Sequence, residues 1–351
     1  EFDNIIVVQS YPSAVTIVNK LKNLKGNTCV IVSLDKELFK FIKKVAPSNV
    51  TTYLFGNAEI LRKRQYVILR KYMVKNIFSS ISEFKTKNLY VNFRYWCDFG
   101  ALYISQIEFE KLTILVAYEE ERYSVSETMS HQLNSYQKLI QNLTKNMLKT
   151  YVASANSPSP DIHMVGLNLH HPKIEGCKIQ KMSKPIGIDF DLPQRFLPKT
   201  AYILYIEREV LKSKHASFVN YIKLLLELKR ASKSSGLPIY IKYKPRQYYF
   251  FKAILHRMAG IKELPTFIPA QIFAFHSNCL FIIGCTSSAL AVDYGKTFVC
   301  LATIQSIFGS RFKNNLESMS QRRKTENNIL YVKNLTSISS SFKTALRKIH
   351  G

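Results

Sequence analysis

The chain has 351 residues, enough for about two domains and a sizeable core without disulfide or metal staples. Hydrophobic residues make up 46%, and Gly and Pro number 12 each, which excludes disordered, collagen-like and low-complexity classes. Lys and Arg total 50 against 24 Asp and Glu, a net charge of +26, so an anionic partner is expected: nucleic acid, acidic lipid or a polyanionic glycan.

In chain order, residues 5–8 read as a buried strand, 14–24 as a helix, 29–33 as a strand and 36–45 as a helix. A strand over 50–55 and a helix over 58–78 follow, then strands over 88–92 and 113–118 and a long polar helix over 131–150. Residues 154–198 hold six of the 12 prolines and read as a linker with irregular loops. Alternation then resumes: strand 202–206, helix 217–232, strand 238–243, helix 249–259, strand 279–283, short helix 287–294, strand 297–301 and a closing helix. Strand–helix alternation of this kind argues for parallel α/β sheets. The expected organisation is a first doubly wound domain over 1–155, a linker over 156–198, a second domain over 199–335 and a C-terminal helix over 336–351. No internal sequence repeat is visible.

The six cysteines, Cys29, Cys97, Cys177, Cys279, Cys285 and Cys300, form no CxxC or other zinc spacing and mostly sit in apolar runs. They read as reduced core thiols. No apolar stretch reaches the ~18 residues of a membrane-spanning helix. GxGxxG, GxxxxGK[ST], GxSxG and HExxH are all absent.

Four segments carry candidate chemistry. Ala117-Tyr118-Glu119-Glu120-Glu121 ends a strand in adjacent carboxylates, whose mutual repulsion can prepare one of them to serve as a general base. Lys242-Tyr243-Lys244-Pro245-Arg246 runs a strand into a basic turn that could clamp a phosphate. Gly284-Cys285-Thr286-Ser287-Ser288 breaks a buried strand into a hydroxyl-rich turn at a helix start, a ready anion site. Gln9 and Ser10 open the turn after the first strand. His170 and His171 read as loop, and His276 as structural.

Taken in order, these segments resemble bacterial CMP-sialic acid-dependent sialyltransferases, most of all the capsular polysialyltransferases. Tyr118-Glu119-Glu120 falls where that family has an acidic pair, Lys244-Pro245 where it has His-Pro, and Thr286-Ser287-Ser288 where it has its serine motif. Leu264-Pro265 through Ile268-Pro269-Ala270-Gln271 is similar to the segment before that motif, and the opening IIVVQSYP to the first strand and loop. Glu121 stands where the motif has Gly, Lys244 where it has His, and Gln271 where an acidic residue often meets the ribose.

The resemblance implies a GT-B fold, two Rossmann-like domains facing across a cleft. It implies an inverting transferase that needs no metal or other cofactor. Glu119 or Glu120 would be the base, and Lys244 the group that offsets charge on the departing phosphate. Gln9, Ser10, Lys242, Pro245, Arg246, Gln271, Gly284, Thr286, Ser287 and Ser288 would bind substrate. The implied partners are CMP-sialic acid and an oligosialic or polysialic acid acceptor, in the bacterial cytoplasm at the inner membrane. The basic surface adds an expected contact with anionic lipid. Between residues 210 and 257 eleven Lys and Arg face one acid, Glu227, which suits an anionic donor and acceptor. Two alternatives remain: a GT-B transferase for another nucleotide sugar, and a non-catalytic protein that binds anionic glycan or nucleic acid.

Overall fold

The computed structural model describes residues 1–8, 13–33, 35–55, 79–92, 98–116, 130–131, 135–148, 151–152, 168, 170–182, 192, 194–206, 217–243, 250–285, 294–304, 306–308 and 328–350. The chain divides into two compact units, Glu1–Asp191 and Leu192–Gly351.

The first unit is built on a six-stranded parallel sheet. Its strands are β1 (Phe2–Val8), β2 (Thr28–Ser33), β3 (Val50–Phe55), β4 (Lys85–Asn92), β5 (Glu108–Val116) and, skipping a small pair described below, β8 (Lys178–Lys181), in the order β3-β2-β1-β4-β5-β8. Every residue of β2 is buried, as a central strand covered by helices on both faces requires. Helix α1 (Ala14–Lys22) follows β1, and α2 (Lys36–Val45) follows β2. In α2, Leu38, Phe41, Ile42 and Val45 form one buried stripe, and Asp35 caps the start by accepting from the amides of Glu37 (3.1 Å) and Leu38 (3.0 Å).

Several elements differ from the sequence reading. Helix α3 (Asp98–Gln106) was not anticipated: Ala101, Leu102, Tyr103 and Ile104 are all fully buried, so its middle has no polar position to reveal its period. Of the long helix expected over 131–150, the described residues show α4 (Ser135–Leu143). It is preceded by β6 (Ser130–His131), which pairs antiparallel with β7 (Tyr151–Val152). Lys145 and Asn146 adopt left-handed backbone (φ 52° and 65°), which ends helical geometry there. The stretch expected as linker contributes β8, which pairs with β5 from Thr113↔Lys178 to Val116↔Lys181. The helix expected over 58–78 lies outside the described residues, as does all of that expected over 287–294 except Tyr294.

The second unit repeats the plan. Strands β9 (Tyr202–Ile206), β10 (Ile239–Lys242), β11 (Lys262–Glu263), β12 (Cys279–Gly284), β13 (Thr297–Cys300) and β14 (Ile329–Tyr331) are all parallel, in the order β11-β10-β9-β12-β13-β14. Among the described residues its α-helices are α5 (Phe218–Ser235), α6 (Phe250–Met258), α7 (Ala270–Phe275) and α8 (Ile338–His350). Ser217 caps α5 by accepting from Asn220 N, and Gly236 ends it at φ 68°. Each unit thus has the Rossmann-like order in which the fourth strand lies beside the first. The chain is α/β with two such units, the make-up expected of a GT-B fold.

The buried thiols behave as core groups. Burial pushes Cys29 and Cys279 up to about 12 and Cys300 to about 11. Among the described residues Cys29, Cys177, Cys279 and Cys300 are free thiols, and no helix is long and apolar enough to cross a membrane.

Candidate functional site

In an open α/β sheet the crevice for ligands lies beyond the carboxyl ends of the strands, where the crossovers diverge. In the second unit that point lies between β9 and β12. Lys242, Ile206, Gly284 and Cys300 are successive cross-strand partners over β10, β9, β12 and β13. They form one row at the carboxyl edge. Lys242 and Gly284 are two strand spacings apart, about 10 Å. The basic segment and the hydroxyl-rich segment therefore leave the same edge on either side of β9.

Gly284 is demanded by sterics. A Cβ there would stand 2.6 Å from the Ile206 carbonyl oxygen, with the Phe298 ring also in contact range. Only a residue without a side chain lets β12 run this close to β9 at the switch point.

Lys242, expected against substrate, is buried. Its ammonium donates to the carbonyls of Tyr243 and Thr266, both at 2.9 Å. It thereby ties the end of β10 to the turn before α7, and Leu264 N adds a bond to Ile241 O at 3.0 Å. That turn delivers Gln271, which is buried on α7. α7 is held in turn by the Tyr202 hydroxyl, which donates to Phe273 O at 2.7 Å.

Sequence reasoning missed a bridge beneath this edge. His256 on α6 is fully buried, with Nδ1 at 2.5 Å from the Tyr243 hydroxyl and Nε2 at 2.7 Å from the Tyr221 hydroxyl. Burial, and secondarily the charge of Lys252, push its pKa down to about 3. The ring is therefore neutral at physiological pH, one nitrogen donating and the other accepting. Tyr243 immediately precedes Lys244, so the bridge anchors the start of the basic segment. The sequence carried no signal for it: only the structure shows that Lys252, Ala253 and His256 share the buried face of α6, an unusual place for an ionisable ring.

In the first unit Val8, Asn92 and Leu115 are successive partners over β1, β4 and β5. Asn92 is fully buried and its Nδ2 donates to Leu115 O at 3.1 Å. Gln9 and Ser10 follow β1 directly, and Glu119 and Glu120 come three and four residues after β5. Both segments leave the carboxyl edge of one sheet, from strands separated by β4. Gln9, Ser10, Glu119, Glu120, Lys244, Pro245, Arg246, Thr286, Ser287 and Ser288 themselves lie outside the described residues. His276, at the end of α7, is shifted down by partial burial and by Lys296, and its ring stacks near Tyr202. No group of three His, Cys, Asp or Glu that could hold a metal occurs among the described residues.

No family model matches the chain, and no curated protein matches it. Solved structures similar to it over nearly its whole length include E. coli heptosyltransferase WaaC with ADP-2-deoxy-2-fluoro heptose, at 11% identity and a TM-score of 0.46, covering 99% of each chain. The UDP-GlcNAc 2-epimerase of Methanocaldococcus jannaschii is similar at 12% identity and a TM-score of 0.47, covering 99% of this chain and 92% of that one. Phytolacca americana UGT2, complexed with UDP-2fluoro-glucose and pterostilbene, is similar at 9% identity and a TM-score of 0.44, covering 100% and 93%.

Proposed function

We propose that the chain is an inverting, metal-independent glycosyltransferase that moves sialic acid from CMP-sialic acid to a glycan and extends an anionic polysialic acid chain. The observation that supports this most is the row Lys242, Ile206, Gly284 at the switch point of the second unit. It starts the basic and hydroxyl-rich segments about 10 Å apart, a span suited to a donor phosphate.

In this reading Thr286, Ser287 and Ser288 hydrogen-bond the donor phosphate. Pro245 sets the turn that carries Lys244 and Arg246 to it, and Gln271 serves the ribose side. Glu119 or Glu120 takes the proton of the acceptor hydroxyl, with Gln9 and Ser10 contacting substrate in the same unit. The acceptor oxygen bonds to the anomeric carbon, the bond to the phosphate oxygen breaks, and CMP leaves with inversion. Lys244 acts at neutral pH as a fixed positive charge on the leaving phosphate, a form of stabilisation that often dominates catalysis. The large net positive charge raises the local concentration of anionic donor and acceptor, increasingly at low salt.

The test is CMP release from CMP-sialic acid with and without an oligosialic acid acceptor, with product length read by chromatography. Acceptor-dependent release and growing chains are expected. Glu119→Gln or Glu120→Gln should lower kcat by about 10²- to 10⁴-fold for whichever is the base. Excess EDTA should leave the rate unchanged. Release only from another nucleotide sugar in a donor panel would transfer the reading to that donor. No release from any donor, Lys244→His included, would leave binding of polyanions as the function.

A further inference from the structure

Among the described residues, most of the large apolar side chains left exposed gather on one pair of helices in the second unit. Seven of the twelve large apolar side chains left exposed among the described residues lie on α5 and α6. Along α5 the outward positions are Val219, Lys223, Leu226, Arg230 and Lys233, stepping by four and three. That spacing places them on one face, with apolar and cationic side chains alternating. On α6 Phe250, Ile254 and Met258 step by four along the outer face, flanked by Phe251 and Arg257. Phe250 and Met258 are 71% and 69% exposed.

The two helices form one continuous surface. Phe218 of α5 stacks on Phe251 of α6 with ring centroids 6.0 Å apart, and farther along Lys229 Nζ donates to Met258 O at 3.0 Å. Among the described residues the acids on and beside these helices are paired, Glu227 with Arg230 and Glu263 with Arg257. The surface is therefore apolar and net positive together.

We propose that the outer face of α5 and α6 docks the protein onto an anionic lipid bilayer, with the Phe, Ile, Leu and Met side chains entering the interface and the lysines meeting headgroup phosphates. A contiguous apolar patch on a soluble surface calls for an occupant. Charge selects which one. A second copy of the chain would bring the same cations face to face, whereas an anionic headgroup layer neutralises them. A hydrophilic polyanion would engage the lysines but leave Leu226, Ile254 and Met258 facing water, while a bilayer buries both kinds of side chain. This surface involves none of the residues assigned to the transfer reaction, so its test stands apart from that of the reaction.

The experiment is co-sedimentation of the full chain with vesicles of phosphatidylglycerol and phosphatidylcholine in equal parts, against phosphatidylcholine alone, at low and high salt. Binding is expected only to the anionic vesicles. Phe250→Ser with Met258→Ser should weaken it by about tenfold or more at unchanged circular dichroism, since neither side chain supports the core. Lys223→Glu and Lys233→Glu should each weaken it by about fivefold or more. Lys40→Glu, a reversal on the exposed side of α2, should have far less effect. The proposal is overturned by equal loss in Lys40→Glu, which would mark adsorption by overall charge, or by undiminished binding of the Phe250/Met258 variant. It is also overturned if sedimentation equilibrium shows a dimer that those substitutions dissociate. Binding of single-stranded RNA that competes with the vesicles and is lost in the same variants would overturn it in favour of nucleic acid.

Discussion

Burial, with the charge of Lys252, keeps the His256 ring neutral, and the two phenols on either side of it make that neutral ring a bridge. The unfolded chain takes up a proton at this ring near 6.5, while the folded chain holds it neutral down to about 3. Between those values the unfolded state binds the extra proton. Stability should therefore fall as pH drops from about 6.5 toward 3, by at most about 1.4 kcal/mol per pH unit, and be unaffected by this group above 6.5. His256→Gln should be less stable at pH 7 yet lose less on acidification. Parallel Tm-against-pH curves for the two proteins would refute this. Gly284→Ala is the second residue-scale case: the added methyl must displace the Ile206 carbonyl or β12 itself, at about 1–3 kcal/mol of stability. Its Tm should fall, and CMP release should fall with it if the proposed donor site is correct. Gly284 and Lys242 were both legible as candidates from strand-end chemistry. What Lys242 holds was not, because Thr266 lies 24 residues away and meets it only once β10 and the turn before α7 are in place. His256 was hidden for the same reason, with its partners 35 and 13 residues distant.

Elements were legible wherever one physical signal dominated. Unbroken apolar runs marked β1, β2, β9, β12 and β13, and the i, i+3, i+4, i+7 stripe marked α2. The N-cap of α2 should follow ordinary capping energetics: Asp35→Ala removes the acceptor for two amides and should cost about 1 kcal/mol, read as a shift in urea midpoint at unchanged m. α3 escaped because its middle is an unbroken buried run, Ala101 to Ile104, with no period to read, and β8 because Lys178-Ile179-Gln180-Lys181 is short and polar, as an edge strand is. The apolar exposures of α5 and α6 were not anticipated either: the sequence reading assigned no face to the helix over 249–259, and the structure buries Lys252, Ala253 and His256 and leaves Phe250, Ile254 and Met258 outside.

On the scale of the whole molecule, two units carry the same strand order with no visible sequence repeat, so the plan is set by topology rather than by matching residues. Each unit has its own sheet and helices, and the fragments 1–191 and 192–351 should each unfold cooperatively in urea. A fragment ending at 155, the boundary that composition suggested, should instead aggregate, because it strips β8 from β5 and leaves a bare edge. Light scattering of the two versions of the first unit checks this directly. The late arrival of β8 also matters during synthesis. β5 ends at Val116 and β8 begins at Lys178, and at about 5–20 residues per second the ribosome needs several seconds to make the residues between. For that interval the nascent sheet has five strands and an open side, so chaperone demand should peak while those residues are being translated and fall once Lys181 has emerged.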